Sequence, residues 1–370
     1  MYIKSLKLQN FRNYADESFA FDPAVNLICG ENGQGKTNLL EAAAACSTMR
    51  LFRTAQKKEG LRFGENHAFI FADFLAQERD ISLELRLSRT KAMEIYKNGV
   101  RQKRQSDAQG LLKTVLFCPE DLMLVRAGAA ARRRFLDTAL CQMRPNYARY
   151  LEEYNRLHEH KTRILRDSEE KPSLLSMWED FSLRMAHIGA QIIRYRAYYC
   201  RKLLKAAAAV YADIAPHEVL SGVYKTVSSV TDPFADARTI EKQLIDHAFS
   251  HKTAEIAAKS CLSGPHKDDL ELLLDGRSAA SFGSQGQVRT CTLSLKLAER
   301  ELFFDEDGEY PVLLLDDVLS ELDRRRQDFV LNRISAGQVM ITCCEDGISE
   351  KLRAGAVFHI QNGEKSEETH

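Results

Sequence analysis

The spacing of apolar positions divides the chain into stretches of different period. The first 30 residues read as strand, turn and strand, ending in a Gly-rich loop. Residues 67–75, 81–87 and 92–102 form further short β-like runs. Asn98-Gly99 lies within the last run, where a tight hairpin turn is expected, because both residues tolerate positive φ. Together these runs predict an antiparallel β patch attached to a larger core.

From about 120 to 255 the period becomes helical. Leu174, Trp178, Phe181, Met185, Ile188, Ile192, Tyr195 and Tyr199 recur at spacings of four and three, a heptad-like seam. It reads as a core helix of a helical lobe, because the region is too short for a long projecting coiled coil. Pro216, Gly222 and Pro233 break the pattern. Beyond 260 a β/α pattern returns. Leu270–Leu274 reads as a strand turning at Asp275-Gly276, a helix follows Gly286, and Val312–Leu315 and Val339–Ile341 read as the last two strands. The order predicts one α/β head, residues 1–115 and 256–370, split by an inserted helical lobe at 116–255.

A chain of 370 residues can bury the cores of two or three domains. Lys+Arg and Asp+Glu are both 52, so the net charge is zero, and nucleic-acid binding would have to use local patches. The nine cysteines include no C-x-x-C pair, which argues against a zinc site or disulfide framework and for a reducing, cytoplasmic setting. A signal peptide and a membrane span are not expected, since the N-terminus lacks a long apolar stretch and no 18-residue apolar run occurs.

Gly30-Glu31-Asn32-Gly33-Gln34-Gly35-Lys36-Thr37 fits G-x-x-x-x-G-K-[ST] in full, between the apolar run Val25–Cys29 and a helix-forming run from Asn38. Such a loop turns backbone N–H groups onto phosphates and adds the positive end of a helix. Lys36 would reach the β- and γ-phosphates of ATP, and the Thr37 hydroxyl would bind Mg²⁺. Val312-Leu313-Leu314-Leu315-Asp316-Asp317 reads as a Walker B strand, with Asp316 holding Mg²⁺ through water and Asp317 orienting the attacking water. Alone it could be a buried strand ending in an acidic turn. Asp316 follows Gly30 by 286 residues, far more than in a compact GTPase or nucleotide kinase. That insertion is the layout of ABC/SMC-like P-loop ATPase heads: an α/β mixed sheet with an antiparallel patch and an inserted lobe.

Ser284-Gln285-Gly286-Gln287 lies about 30 residues before Walker B and opens a helix-like run. The tetrapeptide could simply cap that helix. In this position it matches an ABC signature loop, in which Ser284, Gly286 and Gln287 form a second phosphate cradle. Ser320-Glu321-Leu322-Asp323 fits the D-loop of the same class.

Over nearly its whole length the chain resembles the RecF family of ABC/SMC-type ATPases. Asn10-Phe11-Arg12-Asn13-Tyr14, the P-loop through Asn38, Phe117–Leu122, Arg133–Asp137, Gly264–Asp269, Ser284–Arg289 and Leu315–Asp323 carry the likeness. Lys267 stands in place of an expected Arg, Ala129-Ala130 where a Pro is expected near 130, His160-Lys161 in place of Arg-Asn, and Cys343-Cys344 where further threonines are expected. The resemblance implies an ATP-dependent homodimer that hydrolyses ATP slowly and binds duplex or gapped DNA. It further implies work with RecR and RecO in loading RecA at single-strand gaps. It places Arg12 against the nucleotide and Thr342 at a switch position, and it leaves His266 and Asp268 between an interface role and a structural turn network. One P-loop and one signature loop per chain suggest that two chains complete each site. Lys36, Asp317 and Ser284 are therefore the expected catalytic groups.

DNA contacts have three candidate patches: Arg184, Arg194, Arg196, Arg201, Lys202 and Lys205 in an acid-free stretch, Arg132–Arg134, and the run Lys97, Arg101, Lys103, Arg104. Each could equally be a solvated face. A different SMC-like head, structural or partnering a nuclease, is the alternative; it would need a long coiled coil or a nuclease domain. A small-molecule kinase fits the signature and D-loops poorly.

Overall fold

The structure, a computed structural model, describes residues 1–54, 56–344 and 355–366. Its contacts divide into two units, Met1–Met123 with Thr292–His370, and Leu124–Cys291.

The first unit holds two six-stranded sheets around one helix. β1 (Tyr2–Phe11), β2 (Tyr14–Ala20), β4 (His67–Ala76), β5 (Arg79–Ser88), β6 (Glu94–Lys97) and β7 (Val100–Arg101) form an antiparallel sheet in the order β2-β1-β4-β5-β6-β7. Asn98 (φ 47°) and Gly99 (φ 75°) form the expected hairpin turn. The second sheet joins β3 (Val25–Cys29), β8 (Thr114–Phe117), β12 (Val312–Leu315), β13 (Val339–Cys343), β14 (Ala356–Gln361) and β15 (Glu364–Ser366) in the order β15-β14-β3-β13-β12-β8. Its central strands are parallel and buried on both faces, so they read as largely apolar runs rather than alternation, with Asn26 and Thr342 the polar residues among them. Between the sheets lies α1 (Lys36–Thr48), whose residues from Leu39 to Ser47 are all buried. A helix enclosed all round has no polar face for periodicity to detect, and Ala42–Ala45 is the small-residue run that admits two sheets so closely. α9 (Arg324–Arg333) belongs to the same unit and is capped by the Asp323 carboxylate.

The second unit contains α2 (Ala129–Met143), α3 (Pro145–Asp167), α4 (Trp178–Ile214), α5 (Ala237–Ser250), α6 (Lys252–Ala258) and α7 (Ala279–Phe282). The predicted seam lies on α4 apart from Leu174, which precedes it. Trp178, Met185, Ile188, Ile192 and Tyr199 are buried, while Phe181 and Tyr195 are partly so. α4 packs against α3, α5 and α2 in a helical lobe. The lobe also holds a three-stranded antiparallel sheet of β9 (Leu220–Lys225), β10 (Asp269–Leu274) and β11 (Arg277–Ser278). Because β10 pairs with β9 along its length, residues 256–291 fall within this unit rather than with the C-terminal part of the head. α8 (Gln285–Asp307) carries the boundary between the units within its length. Strands β9, β14 and β15 were not anticipated. β9 is short, lies among helices and is interrupted by Gly222. β14 and β15 follow Ile341, where the last strand had been expected.

The second unit is tied by buried ion pairs. Glu255 accepts from Lys161 (2.7 Å), the Trp178 indole (2.9 Å) and the Leu262 N–H (2.7 Å). Arg196 binds Asp137 and Asp268, and Tyr224 donates to the same Asp268 carboxylate. Burial pushes the Asp268 carboxyl up to about 6 against the pull of Arg196.

Candidate nucleotide-binding site

The parallel sheet sets the site. β13 lies between β3 and β12, with Thr342 opposite Ile28, Cys343 opposite Cys29 and Leu315 opposite Ile341. The C-terminal ends of three strands therefore coincide, where open α/β sheets place ligands. The P-loop leaves β3, Asp316-Asp317 leave β12, and Thr342 ends the strand between them.

Gly30, Gly33 and Gly35 have φ of 146°, 83° and 123°. At Gly30 a Cβ would lie 2.4 Å from the Ile360 carbonyl oxygen, and at Gly35 it would lie 2.7 Å from the Asn13 amide. Two of the glycines are thus required by close approach as well as by dihedral. Asn13 Nδ2 donates to the Gln34 carbonyl (2.7 Å), Asn38 Nδ2 to Asn13 Oδ1 (2.8 Å), and the Tyr14 hydroxyl to the Gly35 carbonyl (3.0 Å). The turn at Asn362-Gly363 braces the other side, its two N–H groups donating to Gln34 Oε1 and to the Gln34 carbonyl. Lys36 Nζ donates to the Gly30 (2.5 Å) and Glu31 (2.9 Å) carbonyls, which holds the cation inside the loop.

Thr37 Oγ1 donates to Asp316 Oδ1 at 2.9 Å, and Thr342 Oγ1 donates to the same oxygen at 3.1 Å. The Asp317 N–H donates to Thr342 Oγ1 at 2.7 Å. Asp317 itself has φ 50°, a left-handed conformation that Asp tolerates at a cost of about 1 kcal/mol or more. Ser320 Oγ donates to its carboxylate and to its carbonyl. Burial raises the Asp316 carboxyl above its ordinary range, Asp317 and Glu120 add to the rise, and the two threonine hydroxyls oppose it. A buried carboxylate beside a threonine hydroxyl is a hard oxygen donor set, which fits Mg²⁺.

Arg12 (φ 55°) binds the buried Glu41 on α1 through two nitrogens, at 2.8 and 3.1 Å, and donates a third bond to the Glu59 carbonyl. It locks the residues before the P-loop onto α1, and sequence reasoning missed Glu41 as its partner. Asn13 and the Asn362-Gly363 turn were missed as loop supports too; the Asn-Gly dipeptide was the available signal.

Ser284 and Gln287 lie in the second unit. The Gln287 N–H donates to Ser284 Oγ and the Ser284 N–H to Gln287 Oε1, a capping box at the start of α8. Gly286 lies between them in the first turn, its carbonyl accepting from Thr290. The tetrapeptide thus caps a helix and leaves Ser284 exposed. His266 receives the Tyr154 hydroxyl at Nδ1 and bonds the Cys261 carbonyl through Nε2. Burial pushes its pKa down to about 3. With Asp268 held by Arg196 and Tyr224, the Gly264–Asp269 segment is a turn network.

The basic residues of the three patches differ in their surroundings. Arg196 is buried between Asp137 and Asp268, and Arg132 is held by Asp269, so neither is available to phosphate. Arg133 donates to the Asp268 carbonyl, Arg184 pairs with Glu153 and Asp180, and Arg101 pairs with Glu94. Lys202, Lys205, Lys103 and Arg104 are exposed.

The family model for the RecF/RecN/SMC N terminal domain matches residues 2–367. The DNA replication and repair protein RecF of Bacillus subtilis (strain 168) is 38% identical over 370 residues, covering 98% of this chain and 99% of the relative. The chain belongs to the RecF family. RecF of Acetivibrio thermocellus is 33% identical over 363 residues, covering 98% of both chains. A solved RecF, described as the recombination mediator RecF-ATP of the RecFOR pathway, superposes with a TM-score of 0.91 at 31% identity, covering 99% of this chain and 98% of its own. A Smc head domain from Pyrococcus furiosus shares the fold at a TM-score of 0.56 and 14% identity. The ABC/SMC-type head and inserted lobe expected from the sequence are thus found. Among the described residues, no helix is long and apolar enough to cross a membrane.

Proposed function

We propose that this RecF-family protein is an ATP-gated DNA-binding repair protein of the cytoplasm, in which hydrolysis resets a DNA-holding dimer. The observation that carries the reading is the contact of Thr37 with Asp316 beside Lys36. It unites the two nucleotide motifs, 279 positions apart, at the ends of strands in one sheet. The backbone N–H groups of Gly33–Thr37 would cradle the phosphates, flanked by Glu31, Asn32 and Asn38, and Lys36 would exchange its loop carbonyls for β- and γ-oxygens. Arg12 would adjoin the nucleotide from the segment that it locks to α1.

Thr37 and Asp316 would hold Mg²⁺, which neutralises phosphate charge when bound. Asp317, fixed by Thr342 and Ser320, would orient a water toward the terminal phosphorus. As the new O–P bond forms and the bond to ADP breaks, the water's proton moves toward the Asp317 carboxylate. Ser284, the Gly286 N–H and Gln287 of a second chain would complete the site. Loss of the γ-phosphate would then remove charge-assisted contacts and open the dimer. In this reading the DNA is duplex or a single-strand/duplex junction, and RecR, RecO and RecA are the partners.

Sedimentation velocity with and without ATP and gapped duplex tests it. Dimers are expected only with ATP, and tighter DNA binding only in that state. A protein that binds ATP yet stays monomeric, with DNA affinity unchanged, overturns the reading.

A further inference from the structure

We propose that Phe63 is a base-stacking contact which, with the cations around it, recognises an unpaired base at a break in duplex DNA. The inference rests on the DNA-binding reading above and names a surface that it leaves open.

Phe63 is fully exposed, more than any other large apolar residue among those described; Phe282, at 75%, is next. It is not on a loose loop. Leu61 is buried and bridges to Phe11, and the Arg62 N–H donates to the Asn10 carbonyl (2.8 Å). The Glu65 N–H returns to the Arg62 carbonyl (3.0 Å), closing a tight turn with Phe63 and Gly64 (φ 89°) at its tip. Arg89 donates to the Glu65 carbonyl from the end of β5 and fastens the far side. The ring is therefore held out into solvent by a braced turn.

Its surroundings are cationic. Arg50, Arg53, Lys58, Arg62, Arg89 and Lys91 are exposed, and none forms an ion pair with another described residue. The segments carrying them converge, since Gly60 adjoins both Leu51 and Leu87. Glu59 and Glu65 are the acids within this set of segments. One arm reaches the nucleotide site: the Arg53 N–H donates to Glu41 and its guanidinium to Asn38, both on α1.

A single phenyl ring among cations is a poor protein-docking patch, which needs contiguous apolar area. It suits nucleic acid, where phosphates meet the cations and a base offers a π face. In continuous duplex each base face is already stacked, so the ring finds a partner only at a gap, an end or a single strand. The exposed Lys202, Lys205, Lys103 and Arg104 can grip a backbone; this patch also distinguishes a break in it.

The test uses the full chain with ATP. Trp178 is fully buried, so a Phe63→Trp variant places a second, exposed indole as reporter. Its emission should be quenched by gapped duplex and not by covalently closed duplex. Phe63→Ala should lose about 5- to 150-fold in affinity for gapped duplex, the range of one aromatic–base stack. Its affinity for closed duplex should stay within about twofold. A reporter indole that stays unquenched at saturating gapped duplex, or equal losses on both DNAs, overturns the proposal. So does a Phe63→Ala variant that alters dimerisation but not DNA affinity, which would make the ring a protein contact. Failure of the wild-type protein to bind either DNA, gapped or closed, sinks the DNA-binding reading itself and is told apart by that titration.

Discussion

Thr342→Val removes a hydroxyl with little change of shape. That hydroxyl donates to Asp316 at 3.1 Å and accepts the Asp317 N–H at 2.7 Å. Its loss takes away one charge-assisted bond, worth about 1.5–3 kcal/mol net, and strands a donor at a cost of about 1–3 kcal/mol. The terms share one atom and do not add fully, so a combined loss of about 2–4 kcal/mol is expected. Part of it appears as stability, read from the urea midpoint. The rest appears at the barrier, because Asp317 is held at φ 50° and loses the anchor on its N–H. A barrier increase of about 1.4–2.7 kcal/mol lowers single-turnover hydrolysis about 10- to 100-fold. ATP affinity should change less than about threefold, since Lys36 and the glycines are untouched, and Thr342→Ser should restore most of the rate. Turnover within twofold of wild type at an unchanged midpoint would refute the positioning argument. A collapse of affinity alongside turnover would instead assign Thr342 to binding.

Asp317→Asn should bind ATP normally, hydrolyse it on the order of 10²–10⁴ more slowly and accumulate as dimer; wild-type turnover would move the base to Asp316 or Glu321. Lys36→Ala should lose ATP binding in calorimetry, and Ser284→Arg should bind ATP without dimerising. Mixing the two should recover part of the hydrolysis, because a mixed dimer holds one composite site with both residues intact; no recovery argues for a site within one chain. His266 is partly buried, with its pKa lowered from 6.5 to about 3 by desolvation, so its contribution to stability is present above pH 6.5 and lost as pH falls below it. Between pH 7 and 5 the wild type should lose about 2 kcal/mol more than His266→Gln in urea titrations. The comparison with the variant removes the opposite contribution of Asp268, whose raised carboxyl favours the folded state as pH falls toward 4. Parallel losses would show that His266 titrates normally.

The sequence by itself determined what local chemistry decides. The P-loop glycines, Lys36 and Thr37 lie within one short segment, the strand before them is largely apolar, and Asp316-Asp317 end an unbroken apolar run. The hairpin turns at Asn98-Gly99 and Asp275-Gly276 and the α4 seam were legible for the same reason, since dihedral preference and period are carried by neighbouring residues. Tertiary structure decided which distant groups meet. Strand order put Thr342 between the two motifs, and only register placed its hydroxyl on Asp316. It paired Arg12 with Glu41, and it buried Arg196 where an acid-free stretch had suggested a phosphate-binding face. It gathered 256–291 with the helical lobe through β9, a six-residue strand too short and too broken by Gly222 to read among helices. It also left Phe63 in solvent. Charge and hydrophobicity are properties of a residue, whereas exposure and partnership follow from what the rest of the chain brings alongside it.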